Sequence, residues 1–304
     1  MQIGIYGGNI RRGAGIHSII DEVHAYQDQG FYSYWFPQVG SFDSLTMIAL
    51  AGQQAKSIRF GTAVVPTYPR HPNVLAQQAA TVNAVIQGRL TLGVGPSHAN
   101  GIKALGLEYL KPAKHMREYV TILRALTSEG RVSFEGEFYR MRTGFQIPDN
   151  QPLAIVMSAL APLMLKTAGE VADGTVTWMV GTQTVKNHTI PHINAAAEAA
   201  GRAKPRVVVG LPICVHDDID EAKQRAIQIF KGYGALPNYR RQLDQEGLKE
   251  AGEIAITGNE AAVEAQIRDV FAAGATEVIA NIYPTGNDGA KSFARTQSLL
   301  KKLL

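Results

Sequence analysis

Cysteine is nearly absent: Cys214 stands alone in 304 residues, inside the apolar run VVVGLPICV at 207–215. A single thiol forms no intrachain disulfide, and in such a run it reads as a small buried side chain. The cytoplasm is the expected compartment. Long hydrophobic runs are missing as well. The stretch around Cys214 is the longest, contains a Gly and a Pro, and falls well short of the roughly 18 residues of a membrane helix. The opening MQIGIYGGNIRRGAG has no basic stretch leading into an apolar core, so no secretory leader and no membrane span are expected. Concentrated positive charge is also lacking. Net charge is +4, with no long Lys/Arg tract beyond Lys111, Lys114 and Arg117. Nucleic-acid binding calls for a denser patch, and none is expected here.

Hydrophobic residues make up 45% of the chain and charged ones 18%, enough for a sizeable core. Short apolar segments alternate with helical patterns: 2–6, 32–36, 58–65, 90–94, 153–157, 174–178, 206–214 and 276–282 read as strands. Between them, Leu75, Ala79, Val82 and Ile86 share one helical face, with Gly88 placed as a C-terminal stop. Val263, Ile267 and Val270 repeat the pattern between Asn259 as N-cap and Gly274 as stop. Eight strands, most followed by a helix, predict one α/β domain over 1–304, a (β/α)8 TIM barrel. Two insertions are expected, a hairpin at 130–148 turning at Glu135-Gly136 before the fifth strand and helical turns at 232–252 before the eighth. The rival is an open doubly wound sheet, which also binds ligands at strand C-terminal ends.

Carboxylates are scarce at those strand ends, which carry Tyr6, Pro37-Gln38, Pro66-Thr67, Pro96-Ser97-His98, Ser158-Ala159-Leu160 and Trp178-Met179. Small, aromatic and apolar walls suit a flat organic cofactor better than a metal or a sugar. GAGIHS at 13–18 and GVGPSH at 93–98 match only the first half of a dinucleotide fingerprint, and the second strand ends in Gln38 rather than an acid. GPSHA at 95–99 resembles a nucleophile elbow, with Asp173 and His216 following in hydrolase order, yet Ala99 replaces the last glycine. His188 and His192 have zinc-helix spacing but Pro191 lies between them and no third ligand is evident, so no metal is expected. In MSALAPLMLKTAGEVADGTV at 157–176 a strand meets a helix at small residues. Open N–H groups there favour an anion, while tight packing of the turn is an equal account.

The run FGTAVVPTYPRHPNVLAQQAATVNAVIQGRLTLGVGPSH, followed by MSALAPLMLKTAGEVADG, resembles the bacterial luciferase-like family of (β/α)8 oxidoreductases, in its branch using the deazaflavin coenzyme F-420. The resemblance extends from GFYSYWF at 30–36 to AITGNEAAVEAQI at 255–267. It implies a cis peptide at Ala63–Val64 in a bulge of the third strand, backing the coenzyme ring. It also implies coenzyme contacts from Ser97, His98 and Asn100, and a phosphate site at Ser158, Ala159, Leu160 and Ala161. Where such sequences often end the second strand in an acid and a His, this chain has Gln38 and Val39. Gln is no general acid, so Gln38 joins Tyr6, Tyr68, His71 and His98 as catalytic candidates, with water as the other proton source. TWMVGTQ at 177–183 carries no cation for a sugar phosphate. Arg11, Arg12 or the 111–117 cluster could meet an acidic coenzyme tail. The implied activity is hydride transfer between F-420 and a small, mostly uncharged organic substrate, at an activated C=C or C=N bond. The alternatives are an FMN-dependent monooxygenase and a non-catalytic deazaflavin- or flavin-binding protein. A homodimer stays open.

Overall fold

The computed structural model describes residues 1–7, 14–40 and 42–304. Twelve strands occur among them: β1 Ile3–Tyr6, β2 Ser33–Phe36, β3 Arg59–Thr62, β4 Val65–Pro66, β5 Leu90–Gly95, β6 Arg131–Glu135, β7 Arg140–Gly144, β8 Ala154–Met157, β9 Gly174–Trp178, β10 Arg206–Val215, β11 Ile256–Gly258 and β12 Glu277–Ile282. Parallel pairing runs β1–β2–β3–β5–β8–β9–β10–β12 and returns from β12 to β1, so the sheet closes. This is an eight-stranded (β/α)8 barrel, and the open-sheet rival is excluded. All eight expected strands are present, and β11, too short to stand out in the hydropathy, adds to the free end of β10.

The third expected strand is interrupted. Thr62 ends β3, Val65 resumes as β4, and the Ala63–Val64 peptide between them is cis. At the break the Thr62 side chain replaces the lost ladder: its hydroxyl donates to the Gly93 carbonyl at 2.8 Å and accepts from the Gly93 N–H at 2.9 Å. The two backbones approach so closely that a Cβ on Gly93 would lie 1.9 Å from the Thr62 carbonyl oxygen. Only glycine fits there.

The hairpin insertion is β6–β7, paired from Arg131–Gly144 to Glu135–Arg140. The second insertion contains a turn at Lys231–Ala235 and the helix Pro237–Glu246. Helix starts follow the expected side-chain logic. Asn259 accepts from the Ala262 N–H, and Gly274 stops that helix in a positive-φ conformation.

Inside the barrel, Trp35, Val156, Val176, Val208 and Ile279 form the apolar filling. Each buried side chain of this size contributes roughly 1.5–3 kcal/mol. Below them a polar plug closes the N-terminal end. Glu277, fully buried, accepts from Trp35 Nε1 at 2.7 Å, from the Ser33 hydroxyl and from Arg206 at 3.0 Å. The larger core lies between barrel and helices. No helix among the described residues is long and apolar enough to cross a membrane.

Candidate active site

The filling stops short of the C-terminal end, where the strand ends enclose a cavity of about 330 Å³. Tyr6, Gln38, Ala63, Val64, Ser97, His98, Ser158, Leu160 and Ala161, nine of the residues singled out in the sequence, line it together. Val176, Thr177 and Trp178 of β9 also line it, and Ala63 and Val64 pack against the cluster containing Val176. Tyr6 stacks on Trp178, ring centroids 4.7 Å apart and 10° from parallel, and its hydroxyl donates to the Ala63 carbonyl at 3.1 Å. Burial, then the neighbouring Tyr233 and Tyr239 hydroxyls, push the Tyr6 pKa well up. A phenol so held is a poor acid; its proton is already spent on fixing the bulge.

His98 contributes an imidazole whose pKa burial lowers, so it is neutral near pH 7. Ser97 has φ +61°, and its carbonyl accepts from the Tyr109 hydroxyl at 3.3 Å. At the fifth barrel strand, Ala161 caps the helix Pro162–Val171 with no side-chain bond of its own. The helix opens with Pro162, which has no N–H, and the Met164 N–H bonds the Ala161 carbonyl at 3.0 Å. Within its first turn, therefore, only Leu163, on the cavity lining, keeps an N–H without a backbone partner among the described residues. A Cβ on Gly95 would lie 2.2 Å from Ser158 Oγ and 2.7 Å from Val64 Cγ2. The glycine keeps open the space between the bulge and this helix end.

Other expected residues sit elsewhere. Tyr68 is off the cavity wall: its hydroxyl donates to the Leu110 carbonyl at 2.7 Å and its ring stacks on His115. His71 is exposed and caps the helix Pro72–Val85, Nδ1 accepting from the Asn73 N–H at 3.3 Å. Asn100 is exposed within a short helix, and Ala159 is 1% exposed with its neighbours, not itself, on the wall. Arg70 turns to Asp43. The loop after the third strand is therefore a set of structural ties, with only Pro66 on the cavity.

Asp173, the would-be triad acid, binds Arg124, Arg202 and the Ile155 N–H near the start of β8, so no triad assembles with Ser97. His188 bonds the Leu160 carbonyl at 2.9 Å and His192 the His188 carbonyl at 2.7 Å. The described residues contain no cluster of three or more side chains suited to a metal ion. Lys111 and Lys114 pair with Glu137, and Arg117 with Glu170, so the 111–117 cluster is spent on ion pairs. Arg11 and Arg12 lie outside the described residues.

Sequence reading missed the lid. Tyr233, Asn238 and Tyr239 of the second insertion reach the cavity, Tyr233 and Tyr239 packing edge to face at 5.0 Å. The two tyrosines around Leu236-Pro237 were a visible signal, but nothing local ties them to strand ends far away in sequence. Tyr109, Leu163 and Met164 also line the cavity, as does Val39 beside Gln38. Among the described residues the lining includes no Asp, Glu, Lys or Arg.

A closed (β/α)8 barrel with a neutral, aromatic-walled cavity at its strand C-terminal ends and no metal cluster among its described residues has the makings of an enzyme built for an organic cofactor. The chain belongs to the luciferase-like monooxygenase family, whose model matches residues 4–290. It is an oxidoreductase of that family, which sets aside the non-catalytic alternative. It is 33% identical over 168 residues to the F-420-dependent glucose-6-phosphate dehydrogenase of Mycolicibacterium fortuitum, covering 52% of this chain and 50% of the relative. An F-420-dependent secondary alcohol dehydrogenase, solved with an F-420–acetone adduct, superposes with TM-score 0.81 at 20% identity, over 98% of this chain and 97% of that one. The FMN-bound oxygenating constituent of 3,6-diketocamphane monooxygenase from Pseudomonas putida superposes with TM-score 0.76 at 18% identity, covering 99% and 97%.

Proposed function

We propose that the protein uses coenzyme F-420 to move a hydride to or from a small, mostly uncharged organic substrate, at an activated C=C or C=N bond. The observation that carries this reading is the cavity itself: apolar and aromatic walls, no charged side chain among its described lining, and a helix N-terminus at one end. A flat, largely neutral ring system with a phosphate-bearing arm matches that division of surfaces. When bound, the coenzyme supplies the hydride equivalent.

The chain's own work is placement. Ala63 and Val64 give a flat backbone surface, held by Tyr6 and by the Thr62–Gly93 bonds, for one face of the ring. Ser158, Ala161 and the helix behind them receive the phosphate through the Ser158 hydroxyl, the Leu163 N–H and the helix dipole, the Ser158 N–H being bonded to the Val94 carbonyl. Trp178, Tyr233 and Tyr239 cover the ring, so that the reacting carbon is held close to its partner. With Tyr6 committed to Ala63 and His98 neutral, water delivers any proton.

Anaerobic titration with oxidised F-420 and, separately, FMN, followed by fluorescence quenching, tests the reading. Micromolar or tighter binding of F-420 alone supports it. Binding of FMN alone replaces it with an oxygen-dependent reaction, which the likeness to the FMN-bound structure keeps as the second reading.

A further inference from the structure

Gln38 enters the cavity wall at the end of β2 with its carboxamide fixed by its neighbours. Its Oε1 accepts from the Ser44 hydroxyl at 2.7 Å and from the Ser44 backbone N–H at 3.4 Å. Its Nε2 donates to Asp43 Oδ2 at 3.3 Å. The amide cannot be turned over. A backbone N–H gives only to an acceptor and a carboxylate takes only from a donor, so oxygen must face Ser44 and nitrogen must face Asp43.

Asp43 is itself committed. Burial raises its pKa, but bonds from the Thr46 N–H, Arg70 and the Thr46 hydroxyl outweigh it and hold the carboxyl below its usual range. Its Oδ1 takes the Thr46 N–H and hydroxyl, both at 2.8 Å, and Arg70 is braced in turn by Gln78 at 3.0 Å. Asp43 is therefore an anion with no proton to lend. It polarises Gln38 as a donor and leaves the second Nε2 hydrogen without an acceptor among the described residues.

We infer that this second hydrogen binds the acceptor atom of the substrate, so that the site selects neutral molecules whose reacting bond is conjugated to a carbonyl oxygen. This inference rests on the proposed hydride transfer. With an enone, the hydride joins the β-carbon and the C=C pair shifts onto the carbonyl as an enolate. Gln38 Nε2–H bonds the enolate oxygen, and water then protonates the α-carbon. The two electrons come from the reduced deazaflavin. A neutral donor aimed where charge develops accelerates without being an acid. Asp43 is a positioning residue in this scheme, acting only through Gln38.

Wild type, Gln38→Met and Asp43→Asn are compared, each first titrated with F-420. With reduced F-420 and cyclohex-2-enone, Gln38→Met is expected to lose roughly 10²-fold in kcat with KM little changed, because the bond strengthens in the transition state. Asp43→Asn, which keeps a helix cap, is expected to lose less, and again in kcat. Independently of turnover, the Gln38 Nε2 proton resonance, assigned by its loss in Gln38→Met, is expected to move on adding cyclohex-2-enone and not cyclohexene. The inference is overturned if that resonance stays fixed up to the solubility of the enone, if both compounds move it alike, or if Gln38→Met turns over like wild type. Failure of F-420 to bind sinks the functional reading instead, and the amide resonance still decides whether Gln38 recognises a carbonyl.

Discussion

Lowering the pH from 7 to 5 puts a proton within reach of a histidine that has no room for the charge. His115 is 2% exposed, its ring 4.0 Å from Tyr68 in a parallel stack, with Phe138 edge-on and Tyr119 and Tyr139 completing the enclosure. Nε2 lies 3.0 Å from the Thr67 hydroxyl. Desolvation pulls its pKa from 6.5 to about 4, with Glu118 pulling weakly the other way. The folded pKa is depressed, so the stabilisation is present above the unfolded value near 6.5 and is lost as pH falls towards 4.

A gap of about 2.5 pH units corresponds to about 3.4 kcal/mol when fully developed, of which about 2 kcal/mol is lost between pH 7 and 5. For a chain of this length that is about 3 °C in Tm. Urea unfolding of wild type, His115→Gln and His115→Phe at both pH values isolates the term, since every other titrating group is common to the three. The variants are expected to lose about 2 kcal/mol less than wild type across this interval. Parallel pH dependence in all three proteins would refute the reasoning, showing that the ring either titrates normally or opens to water before the rest unfolds.

Glu277→Ala strands Arg206, Trp35 Nε1 and the Ser33 hydroxyl at the closed end of the barrel and should cost about 3–5 kcal/mol by chemical denaturation; a loss under about 1 kcal/mol would show that the plug is dispensable. Ala161→Asp should stabilise the helix it caps by about 0.5–2 kcal/mol while weakening F-420 binding at least about tenfold through repulsion of a phosphate; affinity and stability moving in the same direction would remove the phosphate from this helix end. Gly95→Ala drives a methyl into Ser158 and Val64, for an expected cost of about 1–3 kcal/mol in stability and a clear loss of F-420 affinity by the same fluorescence titration, whereas unchanged affinity would place the coenzyme elsewhere.

The barrel was legible because its strands are buried on both faces and read as continuous apolar runs bounded by turns. Ile58 to Val65 is such a run, and for that reason its interruption at Ala63–Val64 is invisible in hydropathy: the break conserves composition and changes only the backbone. The resemblance to the family, and not the pattern, supplied the cis peptide. Tyr68, Arg70 and His71 drew attention as polar groups in a proline-rich loop, yet each is bonded to backbone, carboxylate or helix end. Residue type marked them as chemically able; only the fold says that their hydrogen bonds are already used. The converse holds for Tyr233 and Tyr239, which stand out around Leu236-Pro237 but whose position on the cavity is a tertiary fact.

The same distinction governs charge. The chain is basic, with a pI near 9.1, but Arg70, Lys111, Lys114 and Arg117 lie off the cavity lining. Each is paired, with Asp43, Glu137 or Glu170, so none of the four brings an unpaired charge to the cavity. What remains for an anion is a helix N-terminus, and what remains for the reacting end is a neutral donor at Gln38 and a neutral imidazole at His98. Uncharged donors inside fit the proposed substrate, which enters without charge and acquires it only in the transition state. That is the one moment at which fixed neutral donors stabilise more than they cost to preorganise.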